Sequence, residues 1–179
     1  MDPELREMLD HFQIRKVLAT YCRGSDRCDS ALAASAYAKD SWDDHGIVKA
    51  PGDKFSRMMC QMVIDTTETM THLLGQSTIT VDGDEAGAET YFIAVSKESA
   101  EDGTPLCNQL GGRFVDRLVR EDGHWKIKHR LVLRDWSTGI ALDRDWESSK
   151  TLAPGCRSNE DASFAVLGTV HGGKLSKVS

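Results

Sequence analysis

Apolar side chains are spaced in two different ways along this chain, and the change falls near Thr66. Upstream they recur at helical intervals; downstream they alternate with polar residues. From Pro3 to Arg23, Leu5, Leu9, Phe12, Ile14, Val17, Leu18 and Tyr21 predict one amphipathic helix, with Asp2 as cap and Pro3 in its first turn. Gly24 and Ser25 end that pattern. An alanine-rich stretch from Ser30 to Ala38 predicts a second helix capped by Asp29. The segment SWDDHGIVKAPGD reads as a short strand and turn, broken at Pro51 and Gly52. Asp53 is the expected cap of a third helix carrying Phe55, Met58, Met59, Met62 and Val63. Methionines at this spacing suit a core, and equally the wall of a malleable apolar cavity.

Beyond Thr66 the run THLLGQSTITVDGDEAGAETYFIAVS predicts two strands joined at an Asp-Gly-Asp turn. A polar loop leads to a strand from Asn108 to Arg120. The tight turn Glu121-Asp122-Gly123 then opens a last strand from His124 to Trp136. Helices first and an antiparallel meander afterwards make an α+β pattern. Residues 1–144 form the expected domain. The remainder, 145–179, is a tail rich in Ser, Gly and Lys with one apolar run, Phe164 to Leu167. Three roles are open to it: a mobile end, a cover over a pocket, or a contact with a neighbouring subunit.

Composition narrows the function classes. A chain of 179 residues is one domain with room for a core. The net charge of -6, with basic residues interspersed among acids, argues against nucleic acid. No run approaches the roughly 18 apolar residues of a membrane span. The acidic, polar start MDPELREMLDHF differs from a secretion signal, so a cytoplasmic location is expected. The five cysteines (Cys22, Cys28, Cys60, Cys107, Cys156) show no CxxC or Cys/His cluster. Reduced, mostly buried thiols and no metal site are expected.

The candidate chemistry centres on Asp26, just after the first helix, and His72, at the start of the first long strand. A carboxylate beside an imidazole in an apolar pocket makes a tuned general base. The ordinary alternatives are plain. Asp26 alone is able to cap the second helix, His72 to sit as a structural residue at a strand end, and Tyr21 simply to complete the helical stripe. His45, in DDHG, is positioned to brace a turn. Trp42, Trp125 and Trp136 suit core or rim positions, or aromatic walls for a flat polycyclic ligand.

Several separated segments then agree on a family. GGRFVDRLVREDGHWKIKHRLVLRDW resembles the closing hairpin of the SnoaL-like branch of the folds related to nuclear transport factor 2. DSWDDHG resembles its first strand, and THLLGQSTITVDGDEAGAETYF its middle hairpin. Together they span most of residues 8–136 in the expected order; the tail lies outside the resemblance.

The resemblance implies a cone: three N-terminal helices packed in a curved antiparallel sheet. It also implies the Asp–His pair of scytalone dehydratase, the bile-acid 7α-dehydratases and hexachlorocyclohexane dehydrochlorinase, carried here by Asp26 and His72. Tyr21 falls where the bile-acid dehydratases carry a tyrosine and the dehydrochlorinase a lysine. The basic position of the last strand corresponds to Arg130 or Arg134, the other being left to a solvated face or an ion pair with Asp116 or Asp135. His45 stands near the second histidine of scytalone dehydratase, whose additional tyrosines are not matched. With Trp42 and Met59, these residues make up the expected substrate-binding set.

The implied activity is a cofactor-independent hydro-lyase, a dehydratase acting on a hydrophobic hydroxylated steroid or polyketide. A ketosteroid-type isomerase would use the same proton abstraction. A non-catalytic small-molecule binder, or a partner like the small subunits of ring-hydroxylating dioxygenases, belongs to a different class. The enzymes resembled are often trimers, so a homotrimer is expected, with a dimer next.

Overall fold

A computed structural model describes residues 2–142, 155–157 and 161–167. Three helices come first: α1 (Pro3–Asp26), α2 (Ser30–Ser35) and α3 (Gly52–Thr66). Between α2 and α3 lie β1 (Tyr37–Asp44) and β2 (Lys49–Ala50). Four long strands follow, β3 (Thr69–Asp82), β4 (Glu85–Ser99), β5 (Pro105–Glu121) and β6 (His124–Ala141), then a short α4 (Ala162–Leu167). The strands form one curved, unclosed sheet in the order β2-β1-β6-β5-β4-β3. The fold is α+β, as the change of periodicity indicates.

Local rules account for most of the boundaries. Asp2 accepts from the backbone N–H of Glu4 at 2.9 Å and Leu5 at 3.4 Å, starting α1 at Pro3. Asp29 accepts from Leu32 N–H at 2.9 Å and starts α2. Asp122 (φ 52) and Gly123 (φ 80) make the two-residue turn between β5 and β6. Both central residues of a type I′ hairpin turn need positive φ, and Asp-Gly supplies them.

Five expectations are corrected. The alanine-rich helix stops at Ser35, and Tyr37 already belongs to β1. There Tyr37 pairs with Ile127, and the Ile127 N–H donates to the Ala36 carbonyl at 2.8 Å, so sheet pairing ends the helix early. The third helix is capped by Pro51 without a side-chain hydrogen bond; Asp53 lies inside it, paired with Arg57 at 2.8 Å. The sheet is mixed rather than antiparallel, because β1 runs parallel to β6. The last two strands run past their expected ends, to Pro105 and Ala141. Finally, Leu5, Leu9 and Phe12 of α1 are exposed. The buried stripe runs through Asp10, Ile14, Leu18, Tyr21, Cys22 and Ser25 instead. Asp10 is drawn inward because it accepts from Arg120 Nη2 at 2.7 Å and Trp125 Nε1 at 3.0 Å. The boundary expected after residue 144 falls outside the described residues.

Register sorts the inner face of the sheet into cross-strand rows. At one end Val81, Ala86, Leu118 and Ile127 lie side by side and form part of the packed core with Ile14, Leu18 and Phe55. The next rows carry Ile79, Ala88, Asp116 and Arg130, then Ser77, Thr90, Phe114 and Val132. Further along come Leu74, Phe92, Gly112 and Arg134, then His72, Ala94, Leu110 and Ser137. Core density gives way to a cavity along this direction. No helix among the described residues is long and apolar enough to cross a membrane.

Candidate active site

Asp26 is the last residue of α1, and its place depends on a close approach two residues earlier. A Cβ on Gly24 would lie 2.3 Å from the backbone N of Ala33, so only glycine lets α2 fold back against the end of α1. His72 stands on β3, one row beyond Phe92 on the same face. Asp26 Oδ2 accepts the His72 backbone N–H at 3.0 Å, and Oδ1 lies 2.6 Å from His72 Nδ1. An ionised carboxylate only accepts, so Nδ1 carries the proton and Nε2 is left with its lone pair. Both side chains are largely buried.

A cavity of about 520 Å³ opens beside this pair. His72, Tyr21, Phe92, Phe114, Met59 and Arg134 are among its walls. The aromatic floor is continuous: Phe92 stacks on Phe114 at 4.2 Å, Phe114 meets Tyr21 edge-on at 5.9 Å, and His72 lies 6.1 Å from Phe92. Burial raises the Tyr21 hydroxyl well above the usual tyrosine range, with the Asp43 carboxylate adding to the rise and the Arg130 charge partly offsetting it. Tyr21 therefore keeps its O–H.

The two arginines of β6 divide their roles. Arg130 is fully buried, and its Nε and Nη2 donate to the two oxygens of Asp116 at 2.7 Å each. Its guanidinium is sandwiched between Phe114 at 4.0 Å and Tyr21 at 4.3 Å. Burial works against its charge, and Asp116 more than offsets it. Arg130 is thus sealed beneath the cavity, which removes it from the substrate-contacting set. Arg134 stands two rows nearer the open end on the same face. It lines the cavity and makes no ion pair among the described residues. The register of β6 shifts at Lys128 and at Asp135, on either side of the two arginines, so both stay on the inner face.

Trp42 is also removed from the set. It sits in register with His129 on the face of β1 turned away from the cavity, and its side chain is exposed. Alternation explains this: Ser41 and Asp43 take the buried side.

A second acid–imidazole pair was not legible as such. Asp43 is fully buried, and its Oδ1 is hydrogen-bonded to His45 Nδ1 while its Oδ2 accepts the Tyr37 hydroxyl. Burial pushes the Tyr37 hydroxyl well up, so it remains the donor. His45 stacks on Phe55 at 4.3 Å and lines the same cavity as His72. Its backbone N–H is held by the Val48 carbonyl at 2.9 Å. Gly52 permits this arrangement, because a Cβ there would lie 2.4 Å from the Tyr37 ring. The sequence did contain a signal: Asp-x-His at the end of a strand, with the histidine the first residue beyond β1.

On the far side of the first pair lies another cavity, of about 430 Å³, bordered by Arg23, Asp26, Arg27 and His72. The described part of the tail packs there. Arg157 Nη1 donates to the Val63 carbonyl at 2.9 Å and to Thr67 Oγ1 at 3.0 Å, and Phe164 lies under the Arg23 guanidinium at 5.1 Å. These contacts tie the tail to the ends of α1 and α3, behind the acid of the pair.

Comparison with known proteins places this geometry in context. A family model described as a SnoaL-like domain matches residues 6–131. No curated protein matches the chain. Among solved structures, a scytalone dehydratase candidate from Novosphingobium aromaticivorans DSM 12444 superposes with a TM-score of 0.66 at 18% identity, covering 76% of this chain and 91% of that one. Hexachlorocyclohexane dehydrochlorinase LinA-type3 from Novosphingobium barchaimii LL02 gives 0.68 at 16% identity, covering 77% and 94%. The Kfla4162 protein of Kribbella flavida gives 0.66 at 14% identity, covering 74% and 95%. At these identities the likeness is one of fold.

Proposed function

The chain belongs to the SnoaL-like domain family, and from that premise we propose that it is a cofactor-independent lyase, a dehydratase acting on a hydrophobic hydroxylated ring compound of steroid or polyketide type. The observation that carries the reading is the 2.6 Å contact of Asp26 with His72 at the wall of an apolar cavity.

His72 Nε2 takes a proton from a carbon next to, or conjugated with, a carbonyl. Asp26 holds the opposite ring N–H and offsets the imidazolium charge as it forms. The electron pair moves to the carbonyl oxygen, where Tyr21 O–H and the Arg134 guanidinium stabilise the enolate. The enolate then re-forms the carbonyl, the carbon–carbon double bond closes, and the hydroxyl leaves. His45, in its protonated form, gives that hydroxyl a proton, so the product is water. Asp43 holds His45 as Asp26 holds His72, and the two imidazoles return to their starting states by exchange with solvent. No step calls on a metal or an organic cofactor.

An isomerase would use the same base without expelling a group. The Asp43–His45 pair favours elimination, because it supplies an acid that isomerisation alone does not need. The test is product mass on a panel of hydroxylated steroids and aromatic polyketides. Loss of one water supports the dehydratase, and unchanged mass with a displaced double bond supports the isomerase. Binding without turnover across the panel sinks both.

The same proposal includes self-association, as a homotrimer first. On the outer face of the sheet Leu73, Tyr91, Ile93 and Trp136 leave apolar surface exposed, which a second copy would cover. Light scattering that returns a monomer removes this part.

A further inference from the structure

The cavity does not end at His72. Met70, Ala94 and Leu110 border it and also border a second compartment of about 520 Å³ farther along the same sheet face. The row after His72 consists of Met70, Ser96, Asn108 and Gly139, and Glu98 and Leu106 follow. The face therefore changes from aromatic to polar within two rows.

That polar end is a built cluster. Ser96 Oγ donates to Glu98 Oε1 at 2.7 Å, and Asn108 Nδ2 donates to Glu98 Oε2 at 2.7 Å. Because a carboxylate can only accept, the Asn108 amide must turn its NH₂ to Glu98, which leaves its Oδ1 as an acceptor. Gly139 leaves room for this: a Cβ there would sit 2.7 Å from that oxygen. Ser137 borders the compartment from the neighbouring strand. The end thus presents the Asn108 Oδ1 acceptor and one negative charge beside the hydroxyls of Ser137 and Thr138, whereas the ring compartment presents Arg134. A ligand filling both needs a hydrogen-bond donor at its far end, and an anionic group there would meet Glu98.

We infer that the Glu98–Asn108 compartment is a specificity subsite for a hydroxyl-bearing extension of the substrate. Asn108 stands two residues along β5 from Leu110, which borders both compartments, so the hydroxyl lies roughly 7 Å beyond the ring compartment at about 3.3 Å per residue. This assignment rests on reading the His72 cavity as the ring site, so its test measures binding rather than turnover.

Three steroids sharing one hydroxylated ring system serve as probes: one without a side chain, one with a side chain ending in a hydroxyl, and one ending in a carboxylate. Isothermal titration calorimetry on the full chain reads their affinities. The hydroxyl-ended steroid is expected to bind about tenfold tighter than the side-chain-free ring, the increment of one satisfied hydrogen bond, and the carboxylate-ended one at least as much weaker than the hydroxyl-ended one. Asn108→Leu should abolish the gain, and Glu98→Gln should narrow the gap between the two side chains, with affinity for the bare ring unchanged. Ser137→Val repeats the test from another strand if Asn108→Leu does not fold. Equal affinities, a preference for carboxylate, or variants that leave the gap intact overturn the subsite while the ring site stands. Failure of the bare ring to bind overturns both.

Discussion

Asp26 grips His72 at two points, its carboxylate accepting the backbone N–H at 3.0 Å and facing the ring nitrogen at 2.6 Å. One acid thereby fixes both the backbone of β3 at its fourth residue and which way the imidazole turns. The strand is held there to the last turn of α1, with the imidazole at the cavity wall.

If this pair is the base, Asp26→Asn and His72→Asn each lower turnover by about 10²–10⁴-fold, the usual worth of a positioned proton acceptor. The circular dichroism spectrum should stay native. Near-normal rates from either variant would remove the mechanism.

The two imidazoles are separable. His45→Asn should still let substrate exchange its carbon-bound proton with deuterated water while water loss falls sharply. His72→Asn should stop both. Equal loss of exchange in the two variants would show that His45 is not the acid.

Arg130 and Arg134 differ in what they hold up. Arg130→Met strands the Asp116 carboxylate in the core and should cost about 3–5 kcal/mol in urea unfolding. Arg134→Met, on the cavity wall, should change stability by less than about 0.5 kcal/mol while raising KM or lowering kcat. A reversal of these stabilities would contradict the burial of Arg130.

Acid should expose the role of Asp10. Burial raises its pKa, but hydrogen bonds from Arg120 and Trp125 outweigh this and hold the carboxyl below its ordinary 3.8. A carboxyl depressed in the folded state adds stability above its unfolded value and loses it as pH falls through the folded one. Wild type should therefore lose stability below about pH 4 more steeply than Asp10→Asn, which begins less stable at neutral pH. Parallel pH profiles for the two proteins would sink this account.

Features encoded by neighbouring residues were legible in the chain itself. The Asp2 and Asp29 caps, the Asp-Gly turns and the switch from helical spacing to alternation depend on groups a few positions apart, and they gave the α+β order. Asp26 and His72 could be singled out, though only through a resemblance, since nothing in 46 positions of separation says that two side chains meet. What the fold alone decided involves partners far apart or alternation across a strand. Parallel pairing with β6 cut the second helix short at Ser35. Asp116, reached across β5, took Arg130 out of the cavity and left Arg134 in it. The pleat turned Trp42 outward and Asp43 inward, creating a second imidazole pair that spacing encodes but only burial makes meaningful. Arg120 and Trp125 pulled Asp10 under α1 and left Phe12 outside. In each case a buried charge or donor had to find its partner, and that requirement overrode local preference.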